Sequence, residues 1–257
     1  MSIPIYLAVS PEEMQRKKAE TNLNIHYAYL GYQLDESAPV LLSPQLRQRE
    51  DSLMILQDSI LPQYHSTEAL AHCIANYASD MHTGLVCDFD RPVHPFFQKL
   101  VGYLDAICSQ MSCPLWVPET YADFASNALV MIPSSRISGS FVEFANKAAI
   151  RYPDRAVLEL CPISQKISLP FNNHCITVLS PQDREQLQRS CNAASFTSSE
   201  LLCSYFSVQA DRILSIVLYD TIRSLEEKIS CAEHAGFHAI IGLQQELHCI
   251  FAETTQE

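Results

Sequence analysis

The chain has 257 residues, 47% hydrophobic and 18% charged, with a net charge of -12. A chain of this size and apolar content can bury one large core. Its acidic balance and scattered Lys and Arg exclude a nucleic-acid backbone or an anionic membrane surface as the expected partner.

No apolar stretch approaches the ~20 residues of a membrane span. The first apolar run stops at Val9, short of a signal peptide's core, so a cytoplasmic location is expected. The ten cysteines lie far apart without a Cys-x-x-Cys pair and read as reduced thiols packed as small hydrophobes. The nearest pair, Cys108 and Cys113, has the wrong spacing for a zinc knuckle.

Apolar, β-rich runs alternate with segments of helical period, the pattern of a parallel sheet with crossover helices. Eight runs read as strands: Ile3 to Val9, Ile25 to Gln33, Leu53 to Asp58, Gly84 to Asp90, Leu115 to Glu119, Ala128 to Ile132, Ala156 to Cys161 and His238 to Leu243. After the first, Ser10-Pro11-Glu12-Glu13 sets a cap, a first-turn proline and a capping-box acid in order, which starts a helix. Between Leu34 and Arg49, Pro39, Pro44 and many polar residues predict a long loop.

Leu70, Cys73, Ile74, Tyr77 and Met81 recur at helical spacing before the fourth strand, and Phe97, Leu100, Val101, Leu104 and Ile107 do so after it. A helix after the fifth strand has room only to be very short. Ser140-Phe141-Val142-Glu143 and Ser224-Leu225-Glu226-Glu227 each predict a capping box, and Gly236 ends the second of these helices. Between Pro162 and Asp220 the sequence turns β-rich, with runs at Lys166 to Leu169, Cys175 to Leu179, Ser204 to Gln209 and Ile213 to Tyr219. The last two are joined as a hairpin through Ala210-Asp211-Arg212.

Eight strands and a helical layer in about 250 residues match a closed TIM-type (β/α)8 barrel, with an open doubly wound sheet as the alternative. The expectation is one α/β domain over residues 1–257, partly irregular, with a β-rich insertion at 162–220 between the seventh strand and its helix. Ligands bind at the carboxyl ends of the strands in either fold. The candidates are therefore Ser10, Gln33, Asp58, Asp88, Asp90, Glu119, Tyr121, Ser134, Glu159, Gln245 and Glu246.

Asp88 and Asp90 stand out because they alternate at the end of an otherwise apolar strand and so share one face. Such a pair can also cap the helix that begins near Pro95. Thr83-Gly84-Leu85-Val86-Cys87-Asp88-Phe89-Asp90-Arg91-Pro92 resembles the strand-four signature of the family-18 glycoside hydrolases, Asp-Gly-x-Asp-x-Asp-x-Glu followed by an aromatic and Pro. Gly84, Asp88 and Pro92 match it, Asp90 occupies the place of the acid Glu, and Thr83 and Val86 replace the first two Asp residues. The larger members of that family also carry an insertion after strand seven.

The resemblance implies a barrel in which Asp90 protonates the leaving glycosidic oxygen. Asp88 would orient the substrate's own N-acetyl group for attack, outside the usual two-carboxylate scheme. The family's Tyr-Asp after strand six is replaced by Met131-Ile132-Pro133-Ser134, and its strand-eight Trp by Gly242-Leu243-Gln244-Gln245. These departures leave two outcomes: a diverged glycosidase, or a non-catalytic barrel that binds a ligand or protein partner. Val86-Cys87-Asp88-Phe89-Asp90 also resembles the Asp-x-Asp strand of the haloacid-dehalogenase-like, magnesium-dependent phosphatases. That motif, however, lies near the N-terminus and continues in a Gly-Thr turn.

On the same face, Glu119 and Tyr121 can polarise a sugar hydroxyl, and Gln33, Asp58, Gln245 and Glu246 can hydrogen-bond a polyhydroxylated ligand. Glu159 needs a partner if it points inward. Tyr27, Tyr29, Tyr32 and Tyr121 are the candidate sugar-stacking aromatics. No metal or other cofactor is expected: His234 and His238 have helical ligand spacing, but Gly236 interrupts them. Ser134-Ser135 lacks a nucleophile elbow, and six glycines leave little room for a phosphate loop. The expected ligand is a small molecule or carbohydrate.

Overall fold

The computed structural model describes residues 3–10, 13, 25–34, 41–42, 52–58, 66–89, 94–170, 175–210 and 213–252. In chain order its elements are β1 (Ile5–Val9), β2 (Ile25–Gln33), β3 (Leu41–Leu42), β4 (Ser52–Gln57), α1 (Thr67–Met81), β5 (Gly84–Asp88), α2 (Pro95–Gln110), β6 (Leu115–Pro118), a 3-10 helix (Glu119–Phe124), β7 (Leu129–Pro133), α3 (Phe141–Arg151) and β8 (Ala156–Glu159). There follow β9 (Ser164–Leu169), β10 (Ile176–Val178), α4 (Pro181–Ser190), β11 (Phe196–Ser198), β12 (Cys203–Ala210), β13 (Ile213–Tyr219), α5 (Ile222–Ala235), β14 (Ala239–Leu243) and α6 (Gln244–Ala252). Two compact units result: Met1–Ile132 with Tyr152–Glu159 and Phe237–Gln245, and Pro133–Arg151 with Leu160–Gly236 and Glu246–Glu257. Among the described residues no helix is long and apolar enough to cross a membrane.

The first unit is a closed barrel of eight parallel strands. Around it run β1, β2, β4, β5, β6, β7, β8 and β14, and β1 closes the ring by pairing with both β14 and β2. Closure removes the open-sheet alternative. It follows from strands that read as continuous apolar runs, because both faces are covered. The long β2 outruns β1: Tyr32 and Gln33, beyond the bulge that follows Tyr29, pair with the short antiparallel β3.

Alternate residues of each strand face two different cores. Ala8, Ala28, Leu53, Ile55, Val86, Trp116, Met131, Val157, Ala239 and Ile241, drawn from all eight strands, pack inside the barrel. Their neighbours, among them Tyr29, Met54, Leu85, Cys87, Leu115 and Val117, face outward onto α1 and α2. Gly84 lies on the inner face where space is shortest. A Cβ there would stand 2.8 Å from Leu53 Cδ2 and 2.9 Å from the Pro114 carbonyl oxygen.

The predicted caps are observed at several places, although the helix expected after Ser10 lies outside the described residues. Ser10 and Glu13 form the expected capping box: Ser10 N donates to Glu13 Oε2 at 2.8 Å, and Glu13 N donates to Ser10 Oγ at 3.4 Å. In α1 the buried face is Leu70, Ala71, Ile74, Ala75 and Ala78, while Cys73 is exposed. The periodicity favoured the larger side chains, but three alanines give the closer approach. In α2 all five predicted residues are buried.

The second unit carries an antiparallel sheet in the order β10-β9-β13-β12-β11. Ala210 pairs with Ile213, as a two-residue hairpin requires, although Asp211 and Arg212 lie outside the described residues. Helix α4 went unpredicted because none of its residues is buried, so it has no apolar stripe to read. Its signal was local: Ser180 caps it and Pro181 opens it. Helix α5 starts earlier than expected, with Thr221 as the cap and Ser224 as the third helical residue of a reciprocal box. Gly236 ends it in the left-handed conformation at φ 87°.

Within this unit Lys228 and Asp220 form a fully buried ion pair. Lys228 Nζ reaches both Asp220 oxygens at 2.9 and 2.8 Å. Ser224 Oγ and Ile163 N donate to the same carboxylate at 2.9 and 2.8 Å, and Lys228 lies 5.6 Å from the centre of the Phe141 ring. Four hydrogen bonds from three donors to one carboxylate are what make its burial tolerable.

Candidate active site at the strand ends of the barrel

The carboxyl ends of β2, β4 and β5 bring three polar side chains into one row. Gln33 is register partner to Gln57, and Gln57 to Asp88. Ile55 and Val86 lie in the inner core two residues earlier, so Gln57 and Asp88 face the barrel interior. Tyr32 and Leu56 face the outer core, which leaves Gln33 on the inner side as well. Gln57 Nε2 donates to Asp88 Oδ2 at 3.2 Å, fixing the carboxylate with a neutral donor.

Glu159 ends β8 on the same inner face. Val157, two residues before it, and Ile241, its partner on β14, both belong to the inner core. Asp88 and Glu159 are thus two half-buried carboxylates on the interior ends of different strands. Leu243, the next inward position on β14 after Ile241, is 43% exposed and supplies an apolar wall at the opening.

Beneath this polar level the lumen is filled. Tyr6 meets Trp116 edge-on at 4.9 Å between ring centroids and stacks on His26 at 5.0 Å. Trp116 is paired with Val86, one inward layer below Asp88. Its indole N–H is buried without a hydrogen-bond partner among the described residues. Burial raises the Tyr6 phenol above its usual pKa and keeps it neutral. Sequence reasoning had not singled out Tyr6, Gln57 or Trp116. For Trp116 the signal was the alternation of Leu115-Trp116-Val117, which is resolved only by knowing which face is inside.

The remaining candidates lie apart from this row. Asp58 is buried beside Tyr121 and raises its pKa, because β4 ends at Gln57 and the next residue turns to the outer side. Tyr121 is itself fully buried, its ring 5.8 Å from that of Phe89, and burial is the main cause of its raised pKa. Tyr29 and Tyr32 are buried in the outer core and Tyr27 packs against it, so none of the four tyrosines lines the opening. Glu119 accepts a hydrogen bond from Tyr152 at 3.5 Å. Ser134 is fully buried, its hydroxyl exchanging bonds with the Cys161 backbone. Gln245 and Glu246 are exposed in the first turn of α6. Asp90, Arg91 and Pro92 lie outside the described residues, as does any contact they make.

No group of three or more metal-ligating side chains occurs among the described residues. Asp88 ends the fourth barrel strand with three strands before it, which is not the first-strand setting of the phosphatase motif.

No family model matches this sequence, and no curated protein does either. Solved structures do match. A chitinase from Chromobacterium violaceum superposes over 99% of this chain and 98% of its own, with a TM-score of 0.63 at 14% identity. A GH18 chitinase from Cycas revoluta in complex with (GlcNAc)4 covers 97% of this chain and 98% of its own, with a TM-score of 0.61 at 12% identity. The spore cortex-lytic enzyme SleL of Bacillus megaterium covers 97% of this chain and 73% of its own, with a TM-score of 0.60 at 12% identity. The chain has the TIM-barrel fold of the GH18 chitinases and chitinase-like enzymes, and its motif-bearing strand is the fourth of that barrel.

Proposed function

We propose that this protein is a glycoside hydrolase-like barrel that cleaves a small glycoside or amino-sugar oligomer with acid assistance. Asp90 is the proton donor to the glycosidic oxygen, and Asp88 orients the group that attacks the anomeric carbon. Gln57 holds Asp88 in place, and Gln33 and Glu159 bind hydroxyl or amide groups of the sugar. The observation that carries this reading is Asp88, fixed by Gln57 on the interior end of barrel strand four, in a fold shared with chitinases. The (GlcNAc)4 complex of one neighbour supports an amino-sugar ligand.

A screen of chromogenic N-acetylglucosaminides and short β-linked oligomers, run on wild type, Asp90→Asn and Asp88→Asn, tests it. General-acid removal lowers the rate on the order of 100-fold or more. Hydrolysis unchanged in Asp90→Asn would remove that residue from the chemistry.

A second reading is a sugar-binding or partner-binding barrel without turnover. It is favoured by Val86, which stands where the signature has an acid, and by the packing of the four tyrosines, three of them buried, away from the opening. Calorimetry with the same oligomers separates the two: binding without hydrolysis in the wild type selects this reading.

A further inference from the structure

Helix α2 ends in a motif that brings two thiols together. Met111 caps it, Ser112 follows in the left-handed conformation at φ 56°, and Cys113 N donates to the Cys108 carbonyl at 2.9 Å. Ser112 N donates to the Ser109 carbonyl at 3.4 Å, completing the paired bonds of a Schellman ending. In that ending the side chains of the third-last helical residue and of the second residue past the cap touch, normally as an apolar contact. Here the two are Cys108 and Cys113. Both line a cleft of about 260 Å3 together with Asp105, Ser109, Ser112 and Asn127. Asp105 is held by Asn127, which donates from its backbone N and from Nδ2, the latter at 2.9 Å.

We infer that Cys108 and Cys113 form a redox-active dithiol that a small hydroperoxide converts to a disulfide. The backbone hydrogen bond between the two residues holds them side by side, the adjacency a disulfide requires, and the loop it would close spans only six residues. The two sulfurs have different roles. The Cys108 thiol donates to Cys113, which lowers the Cys113 pKa and raises that of Cys108, burial adding to the latter. Cys113, 7% exposed against 1% for Cys108, is the sulfur nearer solvent and so the attacking one, with Cys108 resolving.

In the first step the Cys113 thiolate attacks one peroxide oxygen. The O–O bond breaks, leaving Cys113 as a sulfenic acid and releasing the parent alkoxide, or hydroxide when the oxidant is hydrogen peroxide, which takes up the proton Cys113 lost. The Cys108 sulfur then attacks the Cys113 sulfur. The S–O bond breaks, the oxygen leaves as water with the Cys108 proton, and the S–S bond forms. Two thiols are oxidised and one hydroperoxide is reduced to water and its parent alcohol, or to two waters for hydrogen peroxide.

Trypsin releases Leu100 to Arg136 as one peptide, because no Lys or Arg lies between Lys99 and Arg136, and Cys108 and Cys113 are its only cysteines. Wild-type protein treated with hydrogen peroxide, alkylated with iodoacetamide and digested will give this peptide unalkylated and two hydrogens lighter. Dithiothreitol before alkylation will restore two alkyl groups. Cys108→Ser, given dimedone with the peroxide, will retain the trapped sulfenic acid on Cys113. The inference is overturned if the wild-type peptide carries two alkyl groups at peroxide levels that oxidise the exposed Cys73 and Cys191. Sulfinic acids in place of the bond would overturn it equally.

Discussion

Gln57 and Asp88 are register partners on adjacent barrel strands, and the amide of one donates to the carboxylate of the other at 3.2 Å. A neutral amide orients a carboxylate without cancelling its charge. Gln57→Leu should therefore lower kcat for a glycoside by roughly 10-fold to 100-fold with a smaller change in KM, since a misplacement of about 1 Å has that effect. Gln57→Glu would put a like charge beside Asp88, raise its pKa and move the acid limb of the pH–rate profile upward. Steady-state kinetics across pH checks both, with circular dichroism to establish folding.

Gly84 tolerates no side chain. The added Cβ would meet Leu53 Cδ2 at 2.8 Å and the Pro114 carbonyl at 2.9 Å, and the second neighbour is backbone. Gly84→Ala should lower stability by about 1–3 kcal/mol, the usual cost of overpacking. Adding Leu53→Ala relieves only the side-chain clash, so urea denaturation of the double variant should recover no more than part of the loss.

His82 makes the barrel sensitive to acid. It is buried between Ser52 Oγ, 2.9 Å from Nδ1, and Tyr32 Oη, 2.7 Å from Nε2, and burial lowers its pKa from 6.5 to about 4. A depressed histidine binds its proton less readily folded than unfolded. Its contribution is complete above the unfolded pKa of 6.5 and is lost as pH falls toward 4, where both states are protonated. Between about pH 7.5 and about pH 4.5 this amounts to about 2–3 kcal/mol. His82→Gln should flatten the pH dependence of unfolding free energy by that amount, and an unchanged slope would contradict it.

The buried pair Lys228 and Asp220 should be costly to break and cheap to replace. Lys228→Met leaves the carboxylate without its cation and should cost about 3–5 kcal/mol, while the double change with Asp220→Leu should cost less than the two single changes combined. Guanidinium unfolding of the four proteins gives the coupling directly.

Much of the barrel was legible because its strands are apolar runs bounded by clear stops. All eight predicted runs coincide with observed barrel strands. What escaped depended on facing. Glu159 is inward because its register partner Ile241 on β14 is inward, a relation that exists between strands and not within one. The predicted run ends at Asp58, one residue past the observed strand, and the alternation turns Gln57 inward and Asp58 out. The tyrosines of β2 share a face with the outer core, on both sides of the bulge after Tyr29. Helix α4, with Leu187 as its one packed apolar side chain, left only its cap as a trace.

Tyr6 and Trp116 meet across the middle of the barrel at 4.9 Å. Their rings turn the lumen into a blind well rather than a passage. A molecule that reaches Asp88 from the strand ends has no second exit and leaves by the mouth through which it came.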